Sequence, residues 1–176
     1  MAVESKHMLA IGAGAAAERT NVVRKSGLDI NTDFHSWLLD QASAVREQRL
    51  DSIDWQHIAE ELEVMAAGER RALKNQLKRL LLHLLKIREQ PERLSRQGGW
   101  RRSIRDAREQ IEDIFEDSPG ILQGKGEETL AITYKRARLD ASDESKLPLK
   151  RFPETCPWSF EEVVSKNFYP GEPYKK

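Results

Sequence analysis

Residues 54–90 read DWQHIAEELEVMAAGERRALKNQLKRLLLHLLKIREQ. Asp54 is a residue type that caps helices, its carboxylate accepting a first-turn N–H. Behind it, Ala59, Leu62, Ala66, Leu73, Leu77, Leu80, Leu84 and Ile87 step by threes, fours and one seven. Such spacing draws a heptad-like seam along one helix of ~50 Å. Leu81, Leu82 and Leu85 widen the stripe toward the end, so this half is expected to be buried on several sides.

The flanks extend the pattern. Upstream, Asn31 or Thr32 can cap a helix with Asp33 in its first turn and Phe34, Trp37, Leu38 and Val45 on one stripe. Leu50 to Ser52 form a short break. Downstream, Pro91 and Gly98-Gly99 bound a loop. A third helix follows with Trp100, Ile104, Ala107, Ile111 and Ile114 inward, and Ser118-Pro119 stops it by Asp117. A fourth is predicted from Glu127, carrying Leu130, Tyr134, Ala137 and Ala141. After Leu147 the chain becomes irregular and aromatic, with Phe152 and Trp158 expected in the core. Ser159 and Glu162 then form a capping box for a last short helix ending near Lys166. No useful strand alternation appears. The fold class is all-α: a long helical hairpin or bundle of about four main helices, with an irregular aromatic C-terminal arm and a short last helix.

Composition narrows the function classes. The 176 residues carry 29 Lys+Arg against 29 Asp+Glu, which argues against a bulk polycation that coats nucleic acid or anionic lipid. One cysteine, Cys156, forms no internal disulfide and no structural zinc site by itself. No apolar run approaches the ~18 residues a membrane span needs, and a cytoplasmic location is expected. Residues 1–28 read as a flexible leader, 29–170 as a single helical domain and 171–176 as a tail. Met8 to Ala17 is too poor in Leu and Ile, and Glu4 offsets Lys6 too fully, for a secretory signal. Gly12-x-Gly14 lacks the strand and third glycine of a dinucleotide loop.

Charge layout is the most informative feature. Residues 51–69 hold six acids and no base; residues 70–108 hold thirteen bases against Glu89, Glu92 and Asp106; residues 109–117 hold five acids and no base. The long helix is thus acidic first and basic last, as its dipole favours. The third helix is reversed, with Arg101, Arg102, Arg105 and Arg108 near its start, each misplaced charge costing up to ~1 kcal/mol. With residue 100 opposite about 88 in an antiparallel hairpin, Glu112 to Asp117 come alongside Arg70, Arg71 and Lys74. Pairs Arg102–Asp106, Arg105–Glu109 and Arg108–Glu112 add ~0.2–0.5 kcal/mol each. What remains is a basic tip of Lys86, Arg88, Arg93, Arg96, Arg101 and Arg105 beside a helix N-terminus, a candidate phosphate or carboxylate site. The competing reading is a solvated face. Trp100 sits on the apolar seam, which favours core over base stacking.

Asp54, His57 and Glu61 share a helix face at i, i+3 and i+7, a spacing that can ligate a metal in a bundle. The second half-site of a di-metal bundle is missing: Glu4-x-x-His7 lies in the leader, and His35 and His83 lack the spacing. Cys156 reads as a structural thiol, with no histidine near it in sequence. No nucleophile elbow or phosphate loop occurs, so no catalytic residue is assigned and no cofactor is called for.

Asp54-Trp55, Ile58 to Glu63, Glu69-Arg70-Arg71, His83 to Lys86, Gln90 to Arg93, Trp100, Ile104, Asp117-Ser118-Pro119, Phe152-Pro153 and Cys156-Pro157-Trp158 together resemble a bacterial family. It is the domain-of-unknown-function family number twenty-nine, common in cyanobacteria, and the likeness spans about Asp29 to Pro170 in order. The resemblance implies an all-helical fold and brings no assigned activity, cofactor or catalytic residue. Ile87-Arg88, where aromatics are expected, and Gly98-Gly99 depart from the pattern at the hairpin tip. Taken together, the residues point to a non-enzymatic module for docking a protein partner or a second copy. Nucleic-acid or phosphoanion binding at the basic tip is the alternative.

Overall fold

The computed structural model of the chain describes residues 29–91 and 99–171. Its elements in order are α1 (Phe34–Arg46), a 3-10 turn (Leu50–Ser52), α2 (Trp55–Glu89), α3 (Gly99–Asp117), α4 (Gly126–Ser145), a second 3-10 turn (Leu149–Arg151) and α5 (Phe160–Val164). No strand occurs among the described residues, so the all-α expectation holds. The chain divides into two compact units, Met1–Ile58 and Ala59–Lys176.

In the first unit, Asp29 ties up the residues expected to cap α1. Its carboxylate accepts the Asn31 backbone N–H at 2.9 Å and its carbonyl accepts the Thr32 hydroxyl at 3.1 Å. The cap therefore falls to Asp33, whose side chain accepts the Ser36 N–H at 3.0 Å. The buried face of α1 is Trp37, Gln41 and Ala44; Phe34, Leu38 and Val45 are exposed, which corrects the predicted stripe. Gln41 sets that face by satisfying backbone: its Oε1 accepts the Asp54 N–H at 2.7 Å and its Nε2 donates to the Ser52 carbonyl at 3.5 Å. Asp54 caps α2 as predicted, accepting the His57 N–H at 3.3 Å.

In the second unit, α2 and α3 form the antiparallel hairpin. Ser118 donates to Glu69 at 2.9 Å, within one residue of the predicted register. α4 runs parallel to α2, because the ion pairs Lys78–Asp140 at 2.9 Å and Lys86–Glu144 at 2.8 Å advance along both helices together. The core gathers Leu73, Leu77, Leu80 to Leu82, Leu84, Leu85 and Ile87 of α2 with Trp100, Ile104, Ala107 and Ile111 of α3 and Leu130, Tyr134, Ala137 and Ala141 of α4. Phe152, Val163 and Phe168 close it from the arm. The seam predicted from Ala59 is buried only from Leu73 onward. The hairpin register explains this: Ser118-Pro119 ends α3 beside Glu69, leaving no α3 turn to cover Leu62 or Ala66.

The arm is held by backbone acceptors. Tyr134 donates to the Pro153 carbonyl at 2.8 Å, and Arg138 donates to the carbonyls of Phe152 and Leu149 at 3.1 and 3.2 Å. The capping box is formed, Ser159 Oγ accepting the Glu162 N–H and Glu162 accepting the Ser159 N–H. Gly126 opens α4 where the Phe160 ring lies 3.2 Å from the place a Cβ would take, so a side chain there would displace the ring. No helix among the described residues is long and apolar enough to cross a membrane.

Candidate functional site

Arg101, Arg105 and Arg108 follow one another at i, i+4 and i+7, so α3 presents them on a single stripe. The arm returns across that stripe. The result is a cavity of about 380 Å³ lined by Arg101, Arg105, Arg108, Glu109, Lys166 and Tyr169. The guanidinium carbons of Arg101 and Arg108 stand 4.5 and 5.3 Å from the Tyr169 ring centroid. Arg108, only 3% exposed, builds the wall. Its three nitrogens donate to the carbonyls of Val163 at 3.1 Å, Lys166 at 3.4 Å and Phe168 at 2.7 Å. Glu112, expected to pair with Arg108, instead takes Lys166 at 2.6 Å and holds that ammonium pKa above its ordinary value. Arg105 is exposed and makes no hydrogen bond or ion pair with a described residue.

A second candidate is the first half of α2. Leu62, Val64 and Met65 are 60%, 63% and 66% exposed, within a stretch whose only charges are Glu60, Glu61, Glu63 and Glu69. The next ten residues carry Arg70, Arg71, Lys74, Lys78 and Arg79 and no acid. Arg70, Arg71, Lys74 and Arg79 make no ion pair or hydrogen bond with a described residue, so Glu112 to Asp117, although the register brings them alongside Arg70, Arg71 and Lys74, do not pair with them.

The family described as Domain of unknown function DUF29 matches residues 30–169, most of the chain. The chain belongs to the DUF29 family. No curated protein and no solved structure matches it.

The six residues expected at a basic tip of this DUF29 chain separate. Lys86 is 8% exposed, paired with Glu144 and set 4.8 Å from the Trp100 ring centroid, so the apolar end of α2 has drawn it inward. Arg88 shares Glu89 with Arg151, at 3.7 and 3.5 Å. Arg93 and Arg96 lie outside the described residues, as do the leader 1–28 and most of the tail. Arg101 and Arg105 alone reach the cavity, joined by Arg108, Lys166 and Tyr169, which the sequence reading missed. The i, i+4, i+7 spacing of the arginines was the available signal. Lys166 and Tyr169 had none, because only the returning arm brings them near.

The expected metal triad is not assembled as a ligand set. Among the described residues no three His, Cys, Asp or Glu side chains converge for a metal ion. Asp54 is occupied as an N-cap and by His57 Nδ1 at 2.6 Å, and Trp37 meets the His57 ring edge-on at 6.3 Å. Trp100 is in the core as expected, 7% exposed. Burial pushes the Cys156 thiol up to about 11, a protonated and weakly nucleophilic group at neutral pH. Desolvation, reinforced by Lys86 and Arg79, lowers the His83 imidazole to about 4.

Proposed function

We propose that this chain is a non-enzymatic protein-interaction module that docks a second copy of itself through the first half of α2. The observation that carries the reading is the exposure of Leu62, Val64 and Met65 on a helix that elsewhere buries its leucines. Leu62, Met65 and Ala66 lie at i, i+3 and i+4 and so share a face. Solvent-facing apolar side chains grouped this way are the usual mark of a docking surface. Charge selects the occupant. Residues 60–69 are purely acidic in charge and residues 70–79 purely basic, so an antiparallel copy centred near Glu69 and Arg70 sets acid against base twice. Such a two-fold contact is self-complementary by construction.

Multi-angle light scattering across a concentration series tests this. The expected result is a dimer that dissociates on dilution and at raised salt, and that Leu62→Glu with Met65→Glu converts to monomer without loss of helical circular dichroism. A monomer at every concentration would sink the reading.

A further inference from the structure

We propose that the cavity between α3 and the arm is a binding site for a small phosphomonoester, its phosphate held by Arg101, Arg105 and Lys166 against a wall fixed by Arg108. The proposal does not depend on dimerisation through α2. Three observations carry it.

The first is concavity with an excess of positive charge. Four cationic side chains and one carboxylate, Glu109, line about 380 Å³, a size suited to a phosphate with a sugar- or nucleoside-sized body. Glu112, paired with Lys166, and Glu116 are further acids beside the site. Four cations against these three acids leave a small positive excess, and guanidinium forks match phosphate oxygens in pairs.

The second is that the arrangement opposes folding. Arg101, Arg105 and Arg108 stack as like charges at i+4 and i+3 in the N-terminal half of α3, where the helix dipole also disfavours them. Arg108 is repaid by three carbonyls of the arm. Arg105 has no such compensation among the described residues.

The third is rigidity. Arg108 is buried and triply bonded, Tyr169 packs under two guanidinium groups, and Phe168 meets Trp158 edge-on at 5.7 Å, so the walls are set before a ligand arrives. Arg108 and Lys166 also border a second groove of about 530 Å³, lined by Ile111, Phe115 and Val164 together with the acids Glu112 and Glu116.

Isothermal titration of the full chain with inorganic phosphate, glucose 6-phosphate, adenosine monophosphate and a single-stranded oligonucleotide tests the site. Saturable binding of at least one phosphomonoester is expected, tighter than inorganic phosphate. Arg105→Glu should weaken it at least about tenfold, as should Lys166→Met, while Arg105→Glu melts no lower than the unaltered chain. No saturable phosphomonoester binding up to about 10 mM overturns the proposal, as does affinity that both substitutions leave intact. Binding confined to the oligonucleotide, steeply weakened by salt, also overturns it in favour of an extended nucleic-acid surface.

Discussion

Arg108 shows why a charge that looks misplaced on its own helix can be well placed in the fold. α5 ends at Val164, so the Val163 carbonyl is one of the helix-end acceptors left without an intrahelical partner. Arg108 meets that carbonyl and two more from the segment beyond it. Arg108→Met would leave two buried acceptors and one partly buried acceptor unmet, and the expected loss is about 3–5 kcal/mol by urea unfolding. An unchanged midpoint would mean that the arm is held by other contacts. His83 gives the pH dependence. Its folded pKa of about 4 lies below the ordinary 6.5, so the unfolded chain takes up a proton that the folded chain refuses. Stability is therefore fullest above pH 6.5 and declines as pH falls toward 4. His83→Gln should remove that part of the decline. Equal acid sensitivity in the two proteins would assign it to other groups.

Among the elements, the capping box and the arm aromatics make the sharpest test. Ser159 satisfies the Glu162 N–H, and Ser159→Ala should lower stability by about 1 kcal/mol, read as a melting shift. The arm is ordered by its backbone bonds and by Phe152, which is 1% exposed. Trp158 is only half-buried, packed against Phe168 at the edge of the core. Trp158→Ala is thus expected to cost about 1–3 kcal/mol, less than a full core truncation. A loss as large as that of Phe152→Ala would show a deeper role. α2 carries two physical regimes in one helix. From Leu80 to Ile87 nearly every side is covered, whereas Leu62 to Met65 are open. Its heptad-like period is continuous, but a period records which side chains share a face and says nothing about what lies opposite.

At the scale of the whole molecule, each unit has its own core and the cores differ in size. Among the described residues, the first unit buries Trp37, Gln41, Ala44 and Ile53, whereas the second buries nineteen in one cluster. Opening free energy follows buried apolar contact. Hydrogen exchange should therefore find the amides of Trp37 to Ala44 exchanging well before those of Leu80 to Leu85. Equal protection along both stretches would contradict this ranking.

Local patterning by itself determined the helices, because capping residues, Pro and Gly breaks and 3.6-residue spacing act within a few residues of one another. Asp54, the Ser159–Glu162 box, the stop at Asp117 and the inward face of α3 were all legible on that basis. The hairpin register was legible too, because the few residues between α2 and α3 leave little freedom in which turns lie opposite. What only the tertiary structure decided depends on segments far apart in the chain. Lys86 turned inward because Glu144 lies 58 residues away on a parallel helix. The cap moved from Thr32 to Asp33 because Asp29 folds back on the intervening turn. The candidate anion cavity exists because an arm with no period of its own returns over three arginines and brings Lys166 and Tyr169 with it. Short-range physics writes itself into spacing, whereas a site closed by an irregular arm depends on packing that no spacing records.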